Sequence, residues 1–354
     1  MDVIGVFVDI EGQEGAQVTF LTEKSNEHIA ISLSKSNTKE NRISRGSEDA
    51  HIIDHLIELL ARSMDAEDED EADALQDEAL EVIYPVAKSL DQDSGASEES
   101  VQPRELVLHN LLFPKTSFYR LEEVAGKLTT VPIPPNEAYG PTHNEDQDQN
   151  MTGLEDNVYI NTSLPSYLPE QIKVVEELVC GGGTVCLAQV NGCQMLCKAR
   201  KDGLQNYNLK REIDCLQKIS QENLGKILIP RLLGYVKHPR SGAILGFLRE
   251  WIPSKDNLKD LKEAGFPDFP KEIRQKVGSQ IKETVEILHG IKVVWGDAKP
   301  SNVVVDLNND AWLIDFGGGW SEGWVDENLQ NTVEGDQQAV ARILEFLDVS
   351  ISGM

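Results

Sequence analysis

The chain has 354 residues, 40% of them hydrophobic, enough for one large core or two moderate ones, and its 60 acidic against 33 basic side chains leave a net charge of −27. A chain this acidic is not drawn to nucleic acid or to an anionic membrane surface. The opening "MDVIGVFVDIEG" lacks the basic segment of a secretory signal and no run of about 18 apolar residues occurs, so a cytoplasmic protein is expected, with the nucleus left open.

Residues 1–35 hold three short alternating or β-branched runs, "VIGVFVDI", "AQVTFLTE" and "HIAISLS", which predict a small antiparallel sheet. In "AHIIDHLIELLARS", Ile53, Leu56 and Leu60 recur at helical spacing. Seven acids then fall in nine positions from Asp65 to Asp73. Crowded like charges stay in water, so this stretch reads as a solvated helix or loop, with an acidic docking surface for a basic protein as the alternative. Residues 91–104 read as a flexible linker, and "SFYRLEEVAGKLTTVPI" as two strands around an Ala125-Gly126 turn. The polar "NEAYGPTHNEDQDQNMTG" marks a boundary. The expected domains are therefore an α+β extension over 1–135, a linker over 136–163 and a chemistry-bearing domain over 164–354.

That last part begins with three strands, Lys173 to Val179, Val185 to Val190 and Gln194 to Ala199, joined by the run Gly181, Gly182, Gly183 and by an Asn191-Gly192 turn. In "YNLKREIDCLQKI" Leu209, Ile213 and Leu216 share one helical face, strands fit "RLLGYVK" and "AILGFLREW", and Lys271 to His289 is strongly amphipathic. The order is strands with one helix, then a mainly helical piece, an α+β arrangement. Cys180, Cys186, Cys193, Cys197 and Cys215 lack the tight pairs of a zinc site and read as small buried residues of a reduced protein.

Polar groups in this half suggest one chemistry. Lys198 ends the third strand, Glu212 lies on the buried edge of the next helix, and "GDAKPSN" precedes "LIDFGG". Between these last two, "VVVDLNNDAWLI" reads as strand, turn, strand, which brings Asn302 back beside Asp315. Two carboxylates and an amide then line one pocket. Phosphoryl transfer from a nucleotide asks for such a set, because the protein must hold magnesium on the phosphates, neutralise charge and align a hydroxyl. Magnesium prefers hard oxygen ligands, here Asp315 and Asn302. Asp297 is placed to take the acceptor's proton, and Lys299 to steady the transferred phosphate.

"GDAKPSN", "IDFGG", the lysine of "LCKAR" and the glutamate of "KREIDCL" resemble the protein-kinase-like superfamily in order and spacing over roughly residues 171–347. "WGDAKPSNVVVD" and "AWLIDFGGGW" also resemble kinase-like proteins of filamentous fungi. The resemblance implies a bilobal fold with a short C-lobe and ATP between the lobes. It further implies an ATP phosphate contact at Lys198, its ion-pair partner at Glu212, a phosphate cover at Gly181, Gly182 and Gly183, and adenine contacts through the backbone of Glu250 and Ile252. Asp297 would be the base, Asn302 and Asp315 the Mg2+ ligands, and Asp336 either a brace for the catalytic loop or a plain helix cap.

Some features depart from the family's pattern. Trp295 and Gly296 stand where a histidine and an arginine precede the base, which removes the usual partner of a phosphorylated activation loop. No "APE"-like segment occurs in the 39 residues after Asp315, so a peptide-binding platform of ordinary size is not expected. Three functions follow: a kinase acting on a hydroxyl of a protein or small molecule, an ATP-binding pseudokinase scaffold, and an interaction module in residues 1–150.

Overall fold

A computed structural model describes residues 1–9, 15–22, 27–35, 51–66, 68–93, 105–124, 127–140, 160–179, 183–222, 224–225, 227–265 and 269–349. The chain divides into two compact units, one of Met1–Arg104 with Phe113–Asp148, the other of Glu105–Leu112 with Gln149–Met354.

In the first unit, strands β1 (Asp2–Val8), β2 (Gly15–Leu21) and β3 (His28–Ser34) form the antiparallel set that their alternation predicts. Helices α1 (His51–Asp65) and α2 (Glu69–Asp93) follow. The acidic stretch thus runs into a 25-residue helix whose Leu75, Ala79, Ile83 and Ala87, one per turn, are buried. The helix reaches through Asp91 to Asp93, where the sequence predicts the start of a linker, and carries Pro85 inside. In the second unit α3 (Leu108–Leu112) comes next, and the first resumes with β4 (Thr116–Val124) and β5 (Lys127–Pro132). The sheet order is β1-β2-β3-β4-β5, with β4 parallel to β3, a pairing that needs the long crossover α1 and α2 supply. Phe20, Ile31, Leu33, Leu56, Leu60 and Ile83 lie at the centre of this core. The Ala125-Gly126 turn lies outside the described residues.

Two boundaries differ from the sequence expectation. Residues 105–112 group with the second unit because Leu108 N–H donates to Ile172 O and Val174 N–H to Leu106 O. Tyr139 and Gly140, expected in a linker, are tied to the first unit by N–H bonds to Ser32 Oγ and Gln17 Oε1.

The second unit contains β6 (Ser166–Tyr167), β7 (Lys173–Val179), β8 (Thr184–Val190), β9 (Cys193–Ala199), α4 (Tyr207–Gln221), β10 (Leu232–Lys237) and β11 (Ile244–Glu250). They build a six-stranded sheet of order β6-β10-β11-β9-β8-β7. The β8–β9 hairpin turns on Asn191 and Gly192, both at positive φ (50° and 81°), as the Asn-Gly pair predicts. Cys186 and Cys197 face each other across that hairpin and are buried, Cys193 is exposed, and Cys215 lies on α4. Cys180 lies outside the described residues.

Helix α4 starts at Asn206, whose side chain accepts from Leu209 N–H at 3.0 Å, and buries Leu209, Ile213 and Leu216. Then follow β12 (Ser254–Asn257), α5 (Leu258–Glu263), α6 (Lys271–Gly290), β13 (Val303–Asp306), β14 (Ala311–Leu313) and α7 (Val333–Phe346). The hairpin of β13 and β14 pairs Val303 with Leu313, so Asn302 O accepts from Ile314 N–H at 3.0 Å and the segments on either side of the hairpin end together. The apolar face of α4 and the inner faces of α6 and α7 share one core that includes Ile213, Phe247, Ile281, Trp295 and Ile343. The mixed α+β architecture agrees with the sequence reading.

Candidate active site

Two polar clusters meet in the second unit. In the first, Lys198 on β9 projects its Nζ to 2.6 Å from Glu212 Oε2 on α4 and 3.0 Å from Asp315 Oδ1 beyond β14. Glu212 is only 2% exposed, whereas Asp214, two positions on, is partly open to solvent, as the helical phase predicts. Burial pushes the Glu212 carboxyl up, and the Lys198 charge offsets that only in part. Burial also disfavours the Lys198 ammonium, but Glu212 and Asp315 outweigh it and hold its pKa above the ordinary lysine value. For Asp315 burial is likewise outweighed, by Lys198 first, and its pKa is held low. Asp315 sits at φ 60°, a left-handed conformation uncommon for a side-chain-bearing residue, with Gly317 N–H at 3.4 Å from Oδ1.

The second cluster surrounds Asp297. Asn302, closing the turn Pro300–Asn302, donates through Nδ2 to Asp297 O at 2.8 Å and to Oδ2 at 3.0 Å. Lys299 Nζ lies 2.8 Å from Asp297 Oδ2 and donates to Ser321 Oγ at 3.0 Å. Ser321 in turn donates to Asp297 Oδ1 at 3.1 Å. Both carboxylate oxygens therefore have partners, and Ser321 presents a hydroxyl to one of them.

The loop carrying Asp297 is held from three sides. Asp336 accepts from Trp295 N–H at 2.7 Å, from Gly296 N–H at 2.9 Å, and pairs with His289 Nε2 at 2.9 Å. It is a brace; the helix cap is Thr332, whose Oγ1 accepts from Gly335 N–H at 3.0 Å. Trp295 Nε1 donates to Ile314 O at 2.8 Å. From α4, the Arg211 guanidinium donates to the carbonyls of Val294 (2.9 Å), Trp295 (3.1 Å) and Phe316. That explains the glycine at 296. Its φ is 88° and a Cβ there would lie 2.5 Å from Arg211 Nη2.

Sequence reasoning assigns no chemistry to Arg211, Ser321 or His289. Nor does it single out Arg249, a buried arginine whose pKa burial lowers despite the opposing charges of Glu212 and Asp315. Arg211 and His289 act on backbone groups or on one carboxylate, and such partners leave no motif; the hint in the sequence is Gly296, at the position where the resemblance implies an arginine. Of the expected adenine contacts, Glu250 N–H already donates to Arg231 O at 2.9 Å, and Glu250 O accepts from Arg249 Nη1 at 3.2 Å. Ile252 is buried, and its backbone N–H and C=O have no hydrogen-bond partner among the described residues. Gly183 borders Arg200, while Gly181 and Gly182 lie outside the described residues.

The donor set suits a hard cation. Asn302 commits its amide hydrogens to Asp297, so its Oδ1 is the atom left over, and Asp315 keeps Oδ2 clear of Lys198.

No family model matches the chain. Over parts of its length it is similar to curated serine/threonine protein kinases. It is 29% identical over 121 residues to the probable serine/threonine-protein kinase PBL4 of Arabidopsis thaliana, covering 34% of this chain and 28% of that one. It is 30% identical over 106 residues to mitogen-activated protein kinase kinase kinase 3 of Arabidopsis thaliana, covering 29% and 17%. It is 33% identical over 93 residues to the serine/threonine-protein kinase PKH1 of Saccharomyces cerevisiae, covering 26% and 12%. The chain thus spans less than a third of each of these relatives, and the likeness is to the protein-kinase-like superfamily at that partial level. Among the described residues no helix is long and apolar enough to cross a membrane.

Proposed function

We propose that residues 164–354 form a bilobal kinase-like domain that moves the γ-phosphate of Mg2+-bound ATP to a hydroxyl acceptor. The observation that carries this reading is the contact of Lys198 with both Glu212 and Asp315, 14 and 117 positions away in sequence. Lys198 neutralises nucleotide phosphates and Glu212 fixes its direction. Asn302 and Asp315 hold Mg2+, which supplies charge neutralisation on the phosphates when bound. Asp297 orients the acceptor hydroxyl and takes its proton; Lys299 offsets the charge left behind. The backbone of Ile252, without a hydrogen-bond partner among the described residues, meets adenine. The acceptor is a protein or small-molecule hydroxyl in the cytoplasm, and the first unit is an extension whose acidic stretch suits a basic protein partner.

A second reading is an ATP-binding scaffold without turnover. The bond from Ser321 to Asp297 favours it, because an outside hydroxyl must displace Ser321 to reach Oδ1. Incubation with Mg2+ and ATP followed by ADP measurement separates the two: the kinase reading expects ADP from wild type and none from Asp297→Asn. Tight ATP binding without ADP formation or labelling of any extract component selects the scaffold.

A further inference from the structure

Away from Lys198, Asp297, Asn302 and Asp315, a cleft of about 330 Å³ opens between α4 and the turn after α6. Four cations line it: Lys210, Arg211 and Lys218 from α4, and Lys292 from the turn. They face one carboxylate, Asp214, which is already engaged by Lys210 at 3.1 Å. Arg211 spends its donors on backbone carbonyls, and Lys218 Nζ donates to Lys292 O at 2.9 Å. Among the described residues none of Arg211, Lys218 and Lys292 pairs with a carboxylate. In a chain with 60 acids to 33 bases, three cations side by side without acid partners are the opposite of what its composition supplies.

The plain alternative is a set of solvated surface lysines, and Lys218 and Lys292 alone would fit it. The cleft differs in two respects. It is concave, with Val293 and Cys215 in its lining, so an occupant is partly withdrawn from water and attracted more strongly than at an open surface. It also sets two lysine ammonium groups beside the Arg211 guanidinium, which is held by its carbonyl bonds and contributes charge rather than a free fork, and such a concentration of positive charge suits tetrahedral oxyanions.

We propose that this cleft binds a phosphate monoester. Three uncompensated cations call for a dianion rather than a single carboxylate. The monoester is carried either by a phosphorylated polypeptide side chain or by a small phosphorylated molecule. Because Arg211 also ties Val294, Trp295 and Phe316, and its neighbour Glu212 meets Lys198, an occupant holds α4 against the loop of Asp297. The binding claim itself does not depend on kinase activity.

The test is calorimetric titration of the full chain at fixed ionic strength with inorganic phosphate, a phosphoserine peptide and the same peptide unphosphorylated. Saturable binding of the phosphorylated probes is expected, weakened about tenfold or more by Lys218→Gln and by Lys292→Gln, and unchanged in Lys271→Gln, an exposed lysine at the start of α6. Both substituted lysines are exposed, so folding is retained and is verified by circular dichroism. A phosphopeptide that binds tighter than phosphate identifies a polypeptide source, and equal affinities a small one. Absence of saturable phosphate binding, binding indifferent to both substitutions, or loss only in Lys271→Gln overturns the proposal.

Discussion

Asp336→Ala is the substitution whose cost the structure specifies most closely. Asp336 is 2% exposed, and its two oxygens accept from two backbone N–H groups and meet one imidazole. Alanine strands the N–H groups of Trp295 and Gly296, both buried, and each stranded donor costs about 1–3 kcal/mol. The sum, roughly 2–6 kcal/mol, is a large share of a domain stability of about 5–15 kcal/mol. For a unit of this size it lowers the melting temperature by about 10 °C. Thr332→Ala removes the helix cap and the hydroxyl bond to Leu329 O, leaves the Asp297 loop untouched, and costs about 1 kcal/mol. Urea unfolding, followed by tryptophan fluorescence with Trp295 as a buried reporter, ranks the two. Were Asp336→Ala no more costly than Thr332→Ala, Asp336 would be an ordinary helix residue and the brace would be refuted.

Three further outcomes are expected. Gly296→Ala combines a positive φ with a Cβ 2.5 Å from the tethered Arg211 guanidinium and costs at least about 2 kcal/mol, whereas Gly192→Ala, with positive φ and nothing within 4 Å, costs about 1 kcal/mol in the same urea series. Lys198→Met leaves Glu212 buried without its partner and costs about 3 kcal/mol near neutral pH. The folded-state pKa of Lys198 is raised, so its contribution is complete below the unfolded lysine value of about 10.4 and is lost as pH rises through the folded value; the gap between wild type and Lys198→Met, measured by urea melts at pH 8 and pH 11, narrows at the higher pH. Ser321→Ala frees Asp297 Oδ1 for water and raises ATP hydrolysis several-fold in a coupled ADP assay, and a fall would mean that Ser321 instead holds Lys299 in place.

The parts of the molecule legible in the sequence are those where local period and spacing act alone. Alternation located β1 to β3 and the β8–β9 hairpin, helical phase turned Glu212 inward rather than Asp214, and the strand-turn-strand pattern after Asn302 returned the chain to Asp315. The strand β12 was not legible: "SKDN" has no apolar alternation and becomes a strand only by pairing with β13. Nor was the full length of α2, whose buried Leu75, Ala79, Ile83 and Ala87 repeat every four residues beside so many acids that solvation was the stronger signal. Arg211 and Ser321 were hidden for another reason. Their partners are carbonyls and a carboxylate distant along the chain, and only tertiary structure selects them.

The central claim is that Lys198, Glu212, Asn302 and Asp315 form a site for magnesium-bound ATP. Equilibrium titration of ATP with and without Mg2+, on wild type and Asp315→Asn, examines it most directly. The account predicts binding that magnesium tightens in wild type and that loses its magnesium dependence when Asp315 becomes neutral; ATP binding indifferent to both, or none at all to folded protein, would contradict it.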